Sequence, residues 1–301
     1  MEDSNAKGFG CSILTISWYF DKLFVSLQNI NKKKMKKITS NELKNIQLDL
    51  LQKTADFCEN NGIRYFLCGG TLIGAIRHKG YIPWDDDIDI AMPRPDYERF
   101  VKTFNKSENY YQVVNIETDP NYAYAFAKVY DNRTILKELH YKGTIGAYID
   151  ILPADGVKDT FQIRKMMFLR KILNTKRANY YKRTISKMII NTLGKILLLP
   201  FSAHKIAIWM DNEARKYAFG SIPSAGLIAN ALGIGEMVDK SVFDSDIYKE
   251  FEGHQYRVPI GYDTWLRSIY GDYMQLPPEE HRVTHHTFDA WWKDEMNNQN
   301  Q

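Results

Sequence analysis

The sequence predicts an α/β (α+β) fold: a mixed sheet with flanking helices and an inserted basic helical subdomain. Three observations predict it. Short apolar segments alternate with polar residues at the two-residue period of strands, as in Asp87-Ile-Asp-Ile and in 110–116 and 123–130. Longer segments, 39–60 and 185–197, repeat apolar residues at helical spacing. Between Asp159 and Asp211 there is no acidic residue, while Lys and Arg abound. With 301 residues and 44% apolar composition, the chain can bury one domain, or one domain and a subdomain.

The composition also excludes classes. A formal charge of +4 is mild. Cys11, Cys58 and Cys68 form no CxxC pair, which argues against structural zinc and a secreted disulfide framework and for a reducing compartment. Residues 1–34 look unlike the rest. Their apolar run is interrupted by Asp21 and Lys22, which makes it a poor membrane span, and it lacks a charged leader region and a cleavage site. The segment reads as appended to the domain; a weak interfacial anchor is the alternative.

From Thr39 to Asn60 the pattern is an amphipathic helix, with Ser40 as the expected cap. A short apolar strand (65–68) leads to Gly69-Gly70 and a helix over 71–78. Glycine lets backbone approach a ligand, and a helix N-terminus offers N–H groups to an anion. Arg77 and Lys79 follow as candidates for neutralising a nucleotide phosphate, a basic exposed turn being the plainer reading. His78 is a weaker candidate base. Pro83-Trp84 fixes the approach to the aspartates.

Asp87 and Asp89 alternate with Ile88 and Ile90, so the carboxylates share one face while the isoleucines enter a core. Two adjacent carboxylates repel, and a hard divalent cation relieves that cost while binding substrate phosphates. The order strand, Gly-Gly, helix, acidic strand is that of a nucleotidyltransferase-type site.

The stretch GGTLIGAIRHKGYIPWDDDIDIAMPR resembles the signature of the LicD/fukutin-related family, phosphotransferases with a nucleotidyltransferase-like fold. Further blocks, AYIDILPADG (147–156) and WLRSIYGDYMQLPP (265–278), occur in the family's order, and the resemblance covers roughly residues 35–286. Its better-known bacterial members are cholinephosphotransferases. The resemblance implies transfer of a substituted phosphate, phosphocholine first, from CDP-choline or a related CDP-linked donor to a hydroxyl of a glycan or lipid-linked glycan, with Mg²⁺ or Mn²⁺ as cofactor. Transfer of ribitol or glycerol phosphate, as in fukutin-related members, is the rival; a catalytically silent membrane adaptor is the rival from another class. Gly69, Gly70 and Thr71 fall in the matching motif as substrate contacts.

Downstream, 96–104 reads as a helix, 110–116 and 123–130 as strands. Asp150 stands in an apolar strand between Ile149 and Ile151, where a carboxylate needs a partner. The metal site is the natural candidate, since nucleotidyltransferase folds commonly add a third carboxylate from a neighbouring strand; a salt bridge to a core arginine is the alternative. Whether Asp150 holds metal or deprotonates the acceptor is open. Asp155 reads equally well as a turn residue.

In the basic stretch, pairs at 164–165, 170–171, 176–177 and 182–183 rotate around an ideal helix and cannot share a face. Farther on, Ile185, Met188, Ile189, Leu193, Ile196 and Leu197 form a stripe, with Lys187, Asn191 and Lys195 opposite. The stretch reads as a contact with an anionic membrane surface, or as a solvated helical face. Without a recognisable nucleic-acid module, nucleic acid is not an expected partner. The expected location is cytoplasmic, peripheral at the inner face of the membrane.

In the last third, 262–270 reads as a helix stopped by Gly271. Trp84, Trp265, Tyr270 and Tyr273 could form an aromatic cage for a quaternary ammonium, or be ordinary core aromatics. His285-His286 either approach the site or lie on the surface. The boundaries expected are 1–34 (appended), 35–158 (catalytic core), 159–219 (basic helical subdomain), 220–290 (packing on the core) and 291–301 (tail).

Overall fold

The computed structural model describes residues 35–106, 110–139, 144–179, 184–284 and 288–293. The segment 1–34, Lys182-Arg183, His285-His286 and the tail from 294 lie outside the described residues.

Helix α1 (Ser40–Asn60) opens with a capping box: the Thr39 hydroxyl accepts from the Glu42 N–H at 3.2 Å, and the Glu42 carboxylate accepts from the Thr39 N–H at 2.9 Å. The cap is therefore Thr39, not the expected Ser40, because Glu42 stands at the third helical position only from there. Leu43, Ile46, Leu50, Leu51 and Cys58 bury one face of α1 against the sheet. The strand β1 (Phe66–Leu67) is only two residues long. Helix α2 (Gly69–Arg77) starts on the first glycine, two residues before the expected start. Gly69 has φ +56°, a turn from strand into helix that a β-carbon would strain.

Strand β2 (Asp89–Pro93) and helix α3 (Arg94–Thr103) follow, then β3 (Tyr111–Val114), β4 (Ala127–Glu138) and β5 (Ile145–Gly156). The strand expected at 123–130 instead begins at Ala127 and runs to Glu138, with a register shift between Asp131 and Leu136. Past it come helices α4 (Thr160–Arg177), α5 (Ile185–Leu197) and α6 (Ala203–Ala214). Short strands β6 (Ser224–Gly226) and β7 (Val238–Asp239), the hairpin β8 (Asp246–Phe251) and β9 (His254–Pro259), helix α7 (Tyr262–Tyr270) and strand β10 (Phe288–Trp292) complete the described chain. Gly271, at φ +67°, stops α7 as the sequence predicts.

The main sheet has the order β1-β2-β5-β4-β10, with β3 also on β4 and β6-β7 extending from β5. β2 and β5 run parallel and the other pairs antiparallel, so the mixed α/β sheet expected from the sequence is present. Ile88, Ile90, Val129, Ile149 and Ile151 are fully buried in the larger core. A second, smaller core holds Ile163, Met166 and Leu173 of α4 against Ile206, Ala207 and Met210 of α6. Arg94 stitches the two: its guanidinium donates to both Asp155 oxygens, at 2.7 and 2.6 Å, and to Asp211 at 2.9 Å, all in buried surroundings. Asp155 is thus a buried ion-pair partner rather than a turn residue.

No described helix is long and apolar enough to cross a membrane. The stripe on α5 nevertheless points outward. Ile189, Ile190, Leu193, Ile196 and Leu197 are each more than half exposed. The polar side faces the protein: Lys195 Nζ donates to the Ala178 carbonyl at 2.6 Å, and a β-carbon on Gly194 would lie 2.7 Å from Thr175.

Candidate active site

Pairing across the sheet builds the site. Asp89 of β2 lies in register with Asp150 of β5, and Asp150 with Lys128 of β4. Directly opposed residues share a face, so two carboxylates and an ammonium form one row across three strands. The other face carries the buried isoleucines. The row floors a cavity of about 530 Å³, roofed by α4, the 227–236 loop and α7. Asp85 and Asp87 enter from the preceding loop, which Gln47 of α1 ties down by donating to the Asp86 carbonyl at 3.0 Å.

The glycines make room for these acids. A β-carbon on Gly69 would sit 2.9 Å from Asp89 Oδ2, and one on Gly70 would sit 2.2 Å from Asp85 Oδ2. The carboxylates therefore rest against the first turn of α2, whose peptide dipoles favour negative charge. Thr71 stands behind them: its hydroxyl accepts from the Asp89 N–H at 2.9 Å and fixes where β2 begins.

Charge is crowded here. Asp85, Asp86 and Asp87 each offer an oxygen within 4.8 Å of the others. Desolvation and then Asp87 push the Asp85 carboxyl up to about 7. Desolvation, Asp87 and Asp150 hold Asp89 well above the usual carboxylate range. Desolvation also raises Asp150, while Lys128, with Nζ 2.5 Å from Asp150 Oδ1, opposes that rise. Lys128 is nearly fully buried, its ammonium 3.4 Å from the Tyr148 ring centre and 4.5 Å from that of Tyr124. Asp150 thus has an internal partner, a lysine rather than the core arginine considered from sequence.

A donor set of carboxylate oxygens alone, too crowded to ionise fully, fits a hard divalent cation such as Mg²⁺. Asp85, Asp86 and Asp87, whose oxygens converge, are the residues that could hold it, with Asp89 and Asp150, the other ligands expected from sequence, beside them on the cavity floor.

Of the residues singled out from sequence, Gly69, Gly70, Trp84, Asp87, Asp89, Asp150 and Tyr270 line this one cavity. Trp265 lines it as well, while Thr71, Arg77, Lys79 and Tyr273 are not brought to its wall. Thr71 is buried behind the strand. Arg77 donates to the Tyr273 and Gln275 carbonyls. Lys79 reaches outward to Glu250 at 3.7 Å. The Tyr273 hydroxyl donates to Asp263 at 2.7 Å. Lys128, Glu138, Arg177 and Glu236 also line the cavity, and the sequence reading did not select them. Lys128 carried the same signal as Asp150: a charge inside an alternating strand, on the face of Tyr124 and Phe126.

Comparison with known proteins places the chain in a family. Residues 62–190 match the family model described as LicD/FKTN/FKRP, nucleotidyltransferase domain. Over 267 residues, 85% of this chain and 99% of the relative, the sequence is 36% identical to the lipopolysaccharide cholinephosphotransferase LicD of Haemophilus influenzae. Over 49 residues it is 45% identical to the ribitol 5-phosphate transferase FKRP of human and of mouse, covering 15% of this chain and 10% of each relative.

Proposed function

The chain belongs to the LicD family, and from that premise we propose that it moves phosphocholine from a CDP-linked donor to a hydroxyl of a lipid-linked glycan, with Mg²⁺ at the acidic cluster. The observation that carries this reading is the row Asp89–Asp150–Lys128 on the cavity floor, beside the glycine-started helix α2. The choice of phosphocholine rests on the similarity to a cholinephosphotransferase along nearly the whole relative.

In this reading Asp87 and Asp89 hold the metal, which when bound supplies positive charge to the diphosphate and the departing CMP. The phosphorus–oxygen bond to CMP breaks as a bond forms to the acceptor oxygen. The hydroxyl proton passes to a cavity carboxylate, for which Asp150 is placed in the row. Lys128 donates to Asp150 Oδ1 at 2.5 Å and holds that carboxylate in place.

A lipid-linked acceptor requires approach to a membrane. The outward apolar face of α5 and the acid-less stretch around it support peripheral contact at the cytoplasmic leaflet. Some of the basic residues are internally committed: Lys165 to Glu213, Lys176 to the Leu198 carbonyl, Lys195 to Ala178. Arg164, Lys171 and Lys187 are exposed and remain for an anionic surface.

The test is a donor panel. Purified protein with Mg²⁺ is incubated with CDP-choline, CDP-ribitol or CDP-glycerol and membrane glycolipid, and the labelled product is identified. Choline phosphate on the glycolipid, lost on chelation, is expected. Transfer only from a polyol donor would overturn the choice of group, and no transfer from any donor would overturn the enzymatic reading.

A further inference from the structure

The cavity has two walls that combine aromatic rings with a carboxylate, and they differ in how far the chain satisfies that carboxylate; on the second wall the Arg282 guanidinium lies 5.6 Å over the Trp84 ring but Glu236 keeps an oxygen without a hydrogen bond. On the sheet side, Tyr124, Phe126 and Tyr148 stand beside Asp150 and Glu138. The chain fills this side itself. Lys128 sits over the Tyr148 and Tyr124 rings and pairs with Asp150. The Arg177 guanidinium lies 3.6 Å over Tyr124 and 3.9 Å from Glu138.

Across the cavity, Glu236 meets Trp265, Tyr270 and Trp84. Glu236 is 3% exposed, and its Oε2 has no hydrogen-bond partner; nor has the indole nitrogen of Trp265. The Leu227 and Leu232 amides and the Trp265 indole lie near enough to favour the anion, and Arg170 adds its field. Burial nonetheless pushes the carboxyl up to about 7, the behaviour of a buried charge short of a counter-ion. Glu236 and Asp89 line one cavity together with Tyr270 and Cys68. A ligand with one end at the acidic cluster can therefore reach Glu236 with the other.

We propose that Glu236, with Trp265, Tyr270 and Trp84, forms the pocket for the quaternary ammonium of the donor, and so is the residue that selects a cationic group over a neutral polyol. The inference rests on the phosphocholine reading and names the part of the site that enforces it. A quaternary ammonium has no N–H to donate. Aromatic faces and one buried counter-charge satisfy it, whereas a polyol needs hydrogen-bond partners that indole and phenol faces lack. Tyr273, expected from sequence to join this cage, is turned away to Asp263; Glu236 supplies what the aromatics alone could not, the opposite charge.

The experiment compares CDP-choline with its neutral carbon isostere, CDP-3,3-dimethylbutanol, which has the same shape and no charge. Binding is followed by tryptophan fluorescence without acceptor, alongside CMP as a probe of the nucleotide end. The wild-type protein is expected to bind the charged compound at least tenfold more tightly. Glu236→Gln should bring the ratio close to one, with CMP affinity and melting temperature unchanged. Tyr270→Leu, on the accessible rim, should lower the ratio without unfolding the chain and keeps the test valid if the Gln variant folds poorly. A Glu236→Gln protein that retains the tenfold preference overturns the proposal. So does one that loses CMP and both donors equally, since Glu236 would then only support the 227–236 loop. If the wild-type protein transfers choline phosphate while Glu236→Gln keeps its preference, this inference fails and the proposed function stands. If the wild-type protein uses only a polyol donor, both fall.

Discussion

At the scale of single residues, the acidic row explains why function and stability conflict. Asp89 and Asp85 bind protons more tightly folded than unfolded, because desolvation and neighbouring aspartates penalise their anions. A group whose pKa rises on folding stabilises fully below its unfolded value and loses that contribution as pH rises through the folded one. Metal-free protein should therefore melt at a higher temperature at pH 6 than at pH 8, and Mg²⁺ should recover the difference at pH 8. Asp89→Asn should abolish transfer, flatten the pH dependence and raise the metal-free melting temperature. Calorimetry with and without chelator checks this; a variant that remains active at saturating Mg²⁺, or a melting temperature that rises toward pH 8, would rule the assignment out.

At the scale of elements, α5 is an inside-out helix. Lys195 and Gly194 face α4, while Lys187, Ile189, Leu193, Ile196 and Leu197 face outward. Water is a poor neighbour for such a stripe, and a lipid surface a good one. Each exposed basic residue near an anionic leaflet contributes about 1 kcal/mol, attenuated within a Debye length of about 8 Å at physiological ionic strength. Sedimentation with anionic vesicles should increase with anionic lipid and decrease with salt. Replacing Leu193, Ile196 and Leu197 with Ser should release the protein without lowering its melting temperature, because those side chains bury little in the fold. Transfer to a short soluble acceptor should be unchanged. Wild-type protein that stays in the supernatant at low salt would leave the stripe without a lipid partner.

At the scale of the whole molecule, Arg94 joins the sheet to the helices that roof the cavity. It is buried with Asp155 and Asp211, and burial raises Asp155 to about 6 despite the guanidinium. Removing one partner of a buried pair leaves a charge without compensation, typically at a cost of about 3–5 kcal/mol. Arg94→Met should cost about that much in chemical denaturation and loosen α4 and α6, which position Arg170, Arg177 and Met210 at the cavity. A loss under about 1 kcal/mol would mean that the two cores hold together by apolar packing alone.

What the sequence by itself determined is local or periodic. The alternation through 87–90 matches which side chains line the site and which enter the core, although only Asp89 and Ile90 lie in β2 and Asp87 arrives on the loop before it. The turn at Gly69-Gly70, the helix ended by Gly271 and the family motif were legible for the same reason: each depends on residues close in the chain. Tertiary structure alone decided the rest. Lys128 meets Asp150 only through the pairing of β4 with β5, and Glu236 reaches the cavity only because its loop folds over it. The stripe on α5 was plain in the sequence, but a helical period states that two faces differ, not which one the neighbouring helix will cover. Likewise Arg77 and Lys79 sit in the motif and Tyr273 in a later matching block, yet they turn from the cavity, because the loop after α7, the hairpin and Asp263 of α7 offer them nearer partners.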